Sequence, residues 1–141
     1  MSRRNVELLR RSAELLNVGD WRAVLELYHP DVQVEFRDLD APPDLPHALR
    51  GREAVRRVVA HWTEPYDEFG AEVHEYIDAE PWVICDTSSH SGGHEEGTPP
   101  VELRFADAYE VRDGQIVRAI LGYPDVSAAL ADIGPRARTG G

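Results

Sequence analysis

The stretch VELRFADAYEVRDGQIVRAILGY, residues 101–123, decides how this chain folds. Its first half alternates apolar and polar side chains, which is the pattern of a strand with one buried face. The dipeptide Asp113-Gly114 follows, and this pair is typical of the two-residue turn of a β-hairpin. The sequence therefore predicts two antiparallel strands, 101–111 and 115–123, joined by a tight turn.

Asp107 is the one acid on the apolar face of the first strand. It has the same parity as five apolar or aromatic residues, which are Val101, Leu103, Phe105, Tyr109 and Val111. A buried carboxyl can abstract a proton or, while protonated, donate a hydrogen bond to a developing oxyanion. Asp107 is therefore the first candidate catalytic residue. The alternative is an acid held by an Arg, a Tyr hydroxyl or backbone donors that performs no chemistry.

The segments before this stretch predict helices first and strands later. Apolar residues spaced three and four apart predict helices in 6–18, 21–28 and 52–62, and alternation predicts strands in 31–38, 71–79 and 81–91. A short helix or turn is predicted in 125–134. This order is typical of one α+β domain, and we assign it to residues 1–134 with a flexible polar tail at 135–141.

The composition limits the partners and the compartment. With 26 acidic and 15 basic residues the net charge is −11, which would repel nucleic acid and anionic membranes. The single cysteine, Cys85, lies in an apolar run, as expected of a buried thiol in a reducing compartment. We find no leader-like segment and no window that approaches the roughly 20 apolar residues of a membrane span. These features predict a soluble cytoplasmic protein.

Further candidate residues would surround a small-molecule pocket. Six aromatic side chains suit a flat apolar ligand, although core packing explains most of them equally well. They are Tyr28, Phe36, Trp62, Phe105, Tyr109 and Tyr123. His90, which shares parity with Trp82, could reach the pocket mouth, and Asp38 is a second candidate base. The proline-rich segment 39–50 could cover the pocket.

Metal and nucleotide cofactors are not expected. His90 and His94 are four residues apart, but this spacing brings two ligands together on a helix rather than in a glycine-rich loop. The sequence also contains no phosphate-binding glycine loop and no nucleophile elbow. We therefore expect an activity that uses no cofactor.

Four segments together resemble the SnoaL-like branch of the nuclear-transport-factor-two-like superfamily. They are LLNVGDWRAVLELYHPDVQVEF (15–36), REAVRRVVAHW (52–62), YIDAEPWVI (76–84) and FADAYEVRDGQIVRAI (105–120). The resemblance runs from about residue 6 to residue 134. It implies a cone-shaped α+β fold, in which a curved antiparallel sheet wraps around three N-terminal helices and encloses a central pocket. It also implies a homodimer that forms through the outer face of the sheet. Members of this superfamily include ketosteroid isomerases, polyketide cyclases, dehydratases, epoxide hydrolases and binding proteins.

Alignment with ketosteroid isomerases by the segments NVGD and DGQI places Asp107 at the protonated acid of their oxyanion hole. Those enzymes also use a tyrosine and a base carboxylate. The tyrosine position holds Ser12 and the base position holds Phe36. Steroid isomerisation is therefore excluded as the specific activity. The resemblance to polyketide cyclases instead implies a pocket aspartate that acts as acid and base in an aldol ring closure.

Three functions follow from these observations. The first is a cofactor-independent cyclase, isomerase or dehydratase of secondary metabolism, acting on a mostly apolar carbonyl compound through Asp107. The second is a non-catalytic ligand-binding or dimerisation module, which the residues Ser12 and Phe36 favour. The third is epoxide hydrolysis, which would need several polar groups around a water molecule near Asp107.

Overall fold

The computed structural model of the chain describes residues 2–37, 48–63, 68–92 and 101–139. Three helices lie in the first half of the chain, and a fourth ends it. They are α1 (Ser2–Val18), α2 (Trp21–Glu26), α3 (Arg52–Thr63) and α4 (Val126–Thr139). The strands are β1 (Tyr28–Phe36), β2 (Ala48–Arg50), β3 (Glu68–Ala79), β4 (Trp82–Gly92), β5 (Val101–Arg112) and β6 (Gln115–Tyr123). They form one curved, unclosed sheet in the order β2-β1-β6-β5-β4-β3, which confirms the α+β class.

The predicted hairpin is present, with β5 and β6 antiparallel and Arg112 paired with Gln115. Both turn residues, Asp113 and Gly114, have positive φ angles of 52° and 76°. A type I′ turn requires this conformation at both of its central positions, and its twist matches that of the two strands. The local sequence signal therefore determined this part of the sheet correctly.

The pairing of β1 differs from a purely antiparallel sheet. β1 runs parallel to β6, with Val34 opposite Ala119. The strand also begins at Tyr28, which we had placed at the end of the second helix; that placement is wrong. The helix ends at Glu26, and the backbone of Tyr28 already pairs with Ile116 of β6. Because Pro30 lacks an N–H and disfavours helical backbone in the residue before it, the segment is extended.

The sheet has a buried core on each face. The inner face packs against α1, α2 and α3 through residues that include Leu9, Val24, Val34, Val55 and Ile116. The outer face packs against α4, and its cluster comprises Trp82, Ile84, Ala106, Ala108, Ile120, Tyr123, Ala129 and Ile133. Helix α4 thus forms a second helical layer, on the face of the sheet opposite the three helices that the sequence predicted. It also continues to Thr139, past Gly134, where we expected the tail to begin.

A bulge interrupts the ladder between β5 and β6. Ala106 pairs with Tyr123 and Ala108 pairs with Ile120, so β6 contains one more residue than β5 over this interval. Gly122 lies in the extra stretch and has a φ of 88°, a conformation that only glycine adopts without strain. The amide of Gly122 is consequently turned out of the regular ladder and can serve a side chain.

Among the residues that the structure describes, no helix has both the length and the apolar character needed to cross a bilayer.

Candidate functional site

Asp107 lies in the middle of β5 on the inner face of the sheet. Its exposure is 6%, and it is one of three buried polar or charged residues among those described. In the register of β4 and β5 it is directly opposite Cys85, and the two side chains therefore share one face. The inward orientation that alternation predicted is confirmed, although this placement alone assigns no role.

Both carboxyl oxygens of Asp107 accept hydrogen bonds. The backbone N–H of Gly122 donates to Oδ1 at 3.0 Å, in a buried position that the bulge creates. The hydroxyl of Tyr109, two residues along the same strand, donates to Oδ2 at 3.3 Å. Residues two apart on a strand point to the same face, so the phenol lies beside the carboxyl it contacts. The carboxyl group is thereby held in one orientation.

Two phenols lie close to this carboxyl. Burial raises the pKa of Tyr28, a hydrogen bond with Ser12 lowers it in part, and the nearby charge of Asp107 raises it again. Burial also raises the pKa of Tyr109 well above its usual range, with the charge of Asp107 as the next cause. Although part of Tyr109 reaches the surface, its hydroxyl is buried. Both phenols therefore remain neutral hydrogen-bond donors at neutral pH.

Tyr28 places a phenol near Ser12. Alignment with ketosteroid isomerases left Ser12, on α1, where those enzymes place a phenol. In the folded chain Ser12 lies close enough to Tyr28, which comes from β1, to lower the pKa of its phenol in part. A phenol is therefore present next to this position after all, contributed by a different element.

Cys85 is a buried thiol next to Asp107. Burial raises the pKa of this thiol well above its usual range, and the charge of Asp107 raises it further. Because the thiolate is the nucleophilic form of cysteine, this environment disfavours a covalent role. The sequence-based expectation of an inert thiol agrees with this arrangement.

The structure separates the predicted pocket residues into two groups. Tyr28, Phe36 and Tyr109 belong to the inner core, on the same face as Asp107. Tyr123 belongs to the outer cluster under α4. His90 has the opposite parity to Cys85 on β4, so it lies on the outer face, where its imidazole covers Gly70 of β3. Tyr123 and His90 are therefore not brought together with Asp107.

The side chains of two candidate residues, Asp38 and Trp62, are outside the part of the chain that the structure describes. Asp38 and residues 39–47 of the proline-rich segment lie outside the described residues, and so does the side chain of Trp62 at the end of α3. The second candidate base, the lid over the pocket and the central pocket itself therefore stay predictions.

A pocket of about 330 Å³ lies on the outer side of the sheet, at the start of α4. It is lined by Asp86, Arg104, Phe105, Pro124, Asp125, Val126 and Ser127. Arg104 and Asp86 form a bidentate ion pair there, with N–O distances of 3.0 and 2.9 Å. Phe105 also borders this pocket, although it lies two residues before Asp107 in an unbroken register and so shares the parity of the inner face.

The outer face also carries a polar cluster that attaches α4 to the sheet. We call it the outer polar cluster, and it comprises Glu35, Arg37, Arg118, Tyr123 and Asp132. Arg37 contacts both Glu35 at 3.3 Å and Asp132 of α4 at 3.4 Å. Burial alone would raise the pKa of Glu35, but the hydrogen bond from Arg118 and the charges of Arg118 and Arg37 outweigh it and lower that pKa.

Among the described residues, no group of three or more His, Cys, Asp or Glu side chains is arranged to hold a metal ion. Polar groups of the inner face near Asp107 include its own carboxyl, the phenols of Tyr28 and Tyr109 and the hydroxyl of Ser12. Such a set suits proton transfer to and from a small organic molecule.

Sequence reasoning named a Tyr hydroxyl and backbone donors as possible partners of Asp107, but it did not identify the residues that supply them. The position of Tyr109 two residues after Asp107 indicated a shared face, and this signal was available. The signal for Gly122 was a glycine inside a strand pattern, which often marks a bulge. The contact of the Gly122 amide with Asp107 was not predictable, because the bulge in β6 depends on how β5 and β6 pair.

Comparison with known proteins places this arrangement in a family. The family model of the SnoaL-like domain matches residues 9–119. A search of curated protein sequences found no match.

Solved structures share the fold at low sequence identity. Bal32a, from a soil-derived mobile gene cassette, has a TM-score of 0.73 at 16% identity, covering 84% of this chain and 88% of its own. IdmH from Streptomyces antibioticus, a proposed polyketide cyclase, has a TM-score of 0.71 at 21% identity, covering 92% and 98%. TerC, crystallised with polyporic acid, has a TM-score of 0.70 at 18% identity, covering 92% and 96%.

Proposed function

Because the chain belongs to the family of SnoaL-like domains, we propose that it is a small-molecule enzyme that uses Asp107 for acid–base catalysis without a cofactor. The reaction would be a cyclisation, isomerisation or dehydration of a mostly apolar carbonyl compound. The observation that carries the proposal is a carboxyl group with 6% exposure, held by the amide of Gly122 and the hydroxyl of Tyr109 and close to the neutral phenol of Tyr28.

The proposed chemistry is a proton transfer next to a carbonyl group. The carboxylate of Asp107 takes a proton from the carbon beside the carbonyl, and the electron pair of that C–H bond moves into the carbonyl to give an enolate. A neutral phenol such as Tyr28 stabilises the enolate oxygen by donating a hydrogen bond. If the enolate is conjugated with a C=C bond, it can recover the proton from Asp107 at another carbon, which is isomerisation. Alternatively, its carbon attacks a second carbonyl and closes a ring, and the alkoxide formed there takes the proton back from Asp107.

The first prediction concerns this proton transfer. We expect the protein to accelerate the exchange of α-protons of β-tetralone, a flat aromatic ketone, in heavy water. The exchange would be followed by proton NMR. Replacing Asp107→Asn removes the base while keeping the shape, and we expect the catalysed rate to fall by about 100-fold or more.

Asp132→Asn is the matched control, because Asp132 also accepts a hydrogen bond from a tyrosine but lies on α4 at the outer face. We expect it to leave the exchange rate unchanged. The proposal is excluded if the Asp107→Asn protein exchanges β-tetralone at the wild-type rate.

A ligand-binding module is the second candidate, and the hydrogen bonds of Asp107 favour it. An acid that Tyr109 and Gly122 hold on both oxygens can have a purely structural role. The presence of polyporic acid in the TerC crystal supports a small organic ligand for either candidate. Calorimetry and the NMR exchange measurement together distinguish the enzyme from the binding module. A module would bind β-tetralone without exchanging its protons, and its affinity would survive Asp107→Asn.

A further inference from the structure

We propose that the two carboxyl oxygens of Asp107 have separate tasks: Gly122 keeps Oδ1 as a fixed acceptor, and Oδ2, beside Tyr109, is the oxygen that gains and loses the proton. Tyr109 is then a positioning residue that adjusts this proton exchange. The catalytic meaning of the inference rests on the proposed function, whereas the division between the two oxygens is argued from their contacts with Gly122 and Tyr109.

The contact at Oδ1 allows only one direction of hydrogen bonding. A backbone N–H is a donor and cannot accept. The bond from Gly122 is 3.0 Å long and buried, and the bulge in β6 turns this amide away from the ladder towards Asp107. A proton on Oδ1 would weaken the bond, and a buried amide without a partner is costly. Oδ1 therefore remains unprotonated in both states of the carboxyl.

The contact at Oδ2 works in both directions. A tyrosine hydroxyl is both a donor and an acceptor. The hydroxyl of Tyr109 can donate to Oδ2 when the carboxyl is charged, and it can accept from Oδ2 when the carboxyl is protonated. The hydrogen bond survives the titration with only a rotation of the hydroxyl. At 3.3 Å it is also longer than a typical O–H···O bond, so it can shorten when the charge changes.

The ionisable groups close to Asp107 stay neutral when its carboxyl is titrated near neutral or acidic pH. Three such groups face it, which are Tyr28 on β1, Cys85 on β4 and Tyr109 on β5. All three have a raised pKa and stay neutral at neutral pH. A titration at this site therefore reports the proton of Asp107 rather than that of a neighbour.

The test is a ¹³C NMR titration of the Asp107 carboxyl, with the signal assigned by its absence in Asp107→Asn. Tyr109→Phe removes the donor to Oδ2, so the charged form loses support and the titration midpoint is expected to rise by about one pH unit. The matched control is Tyr123→Phe, which removes a tyrosine–aspartate hydrogen bond on the outer face of the same sheet. It is expected to leave the midpoint unchanged.

The wild-type protein supplies a second measurement that needs no variant. If Oδ1 is a fixed acceptor, the amide proton of Gly122 stays protected from solvent exchange both above and below the midpoint. Loss of that protection when the carboxyl is protonated would overturn the assignment of Oδ1. An unchanged midpoint in Tyr109→Phe would overturn the assignment of Oδ2. Neither result depends on turnover, whereas failure of the proposed function would appear as wild-type exchange by Asp107→Asn.

Discussion

At the residue scale, the carboxyl group of Asp107 on the inner face lies near three groups that are weaker acids. The hydroxyls of Tyr28 and Tyr109 and the thiol of Cys85 all have a pKa raised first by burial. The cost of removing a charge from water explains this, since each of these groups is neutral when protonated. A substrate that reaches Asp107 would therefore meet hydrogen-bond donors and apolar surface but no competing anion from these three residues.

Cys85 provides a prediction at this scale. Because its thiol is buried and its pKa is raised, we expect iodoacetamide to label it at least about 100-fold more slowly in the folded protein than in guanidinium chloride. Mass spectrometry at pH 8 would measure the rate. In a Val18→Cys variant, the added thiol replaces a residue that is 77% exposed and should be labelled quickly. Rapid labelling of Cys85 in the native wild-type protein would contradict the burial of this face.

The sequence predicted the orientation of Asp107 because alternation along a strand is a local property. It could not predict that the carboxyl would be held by Gly122, fifteen residues away, since this contact depends on the register of two strands. The phenol of Tyr28 was misplaced for a similar reason. Its partner in the sheet, Ile116, is distant in sequence, and the pattern around it is also compatible with the end of a helix.

At the scale of elements, α4 is attached to the sheet by apolar contacts and by the outer polar cluster. Ala129 and Ile133 are fully buried against the outer face, and Asp132 contacts Arg37 and Tyr123. The sequence predicted a helix or turn here but neither its length nor its position. An amphipathic pattern shows that a helix has a buried face, but it does not show which face of the sheet covers it.

Glu35 gives a prediction about the outer polar cluster. Its pKa is lowered in the folded state, so its pairing stabilises the fold above the unfolded-state pKa of about 4.3, and this stabilisation is lost as pH falls through the lower folded-state value. We expect Glu35→Gln to lower the free energy of unfolding by about 1–2 kcal/mol at pH 7. The difference from wild type should close below about pH 4.

Urea unfolding at several pH values would measure this difference. Glu53→Gln is the matched control, because Glu53 pairs with Arg56 at an exposed position on α3 and screening by water makes such pairs weak. A Glu35→Gln protein as stable as wild type at pH 7, or one whose deficit persists in acid, would contradict the role of this cluster.

At the scale of the whole molecule, the two layers of helix affect how copies of the chain can pair. The resemblance predicts a homodimer through the outer face of the sheet, where residues 102–112 of β5 alternate small and charged side chains. Two of these, Ala106 and Ala108, have no exposed surface because α4 covers them. We propose that pairing through this part of the sheet requires α4 to move away.

Loosening α4 should therefore favour self-association. Ile133→Asp places a charge in the outer cluster, detaches the helix and exposes an apolar patch around Trp82 and Ile120. We expect light scattering to give a higher average mass for this variant than for wild type at the same concentration. Leu130→Asp is the control, since Leu130 lies on the same helix and is 41% exposed. An Ile133→Asp protein that keeps its sheet and the wild-type mass would contradict the proposal.

The extra residue of β6 in the bulge at Gly122 affects both faces of the sheet. Before it, Ala119 and Leu121 point to the inner core; in an uninterrupted strand, Tyr123 would point there as well. Because of the insertion, Tyr123 instead lies on the outer face, where its hydroxyl meets Asp132 of α4. The bulge thus turns the amide of Gly122 towards Asp107 on the inner face and the hydroxyl of Tyr123 towards α4 on the outer face. Deleting that residue would disturb the acid and the C-terminal helix together, although their side chains lie on opposite surfaces of the sheet.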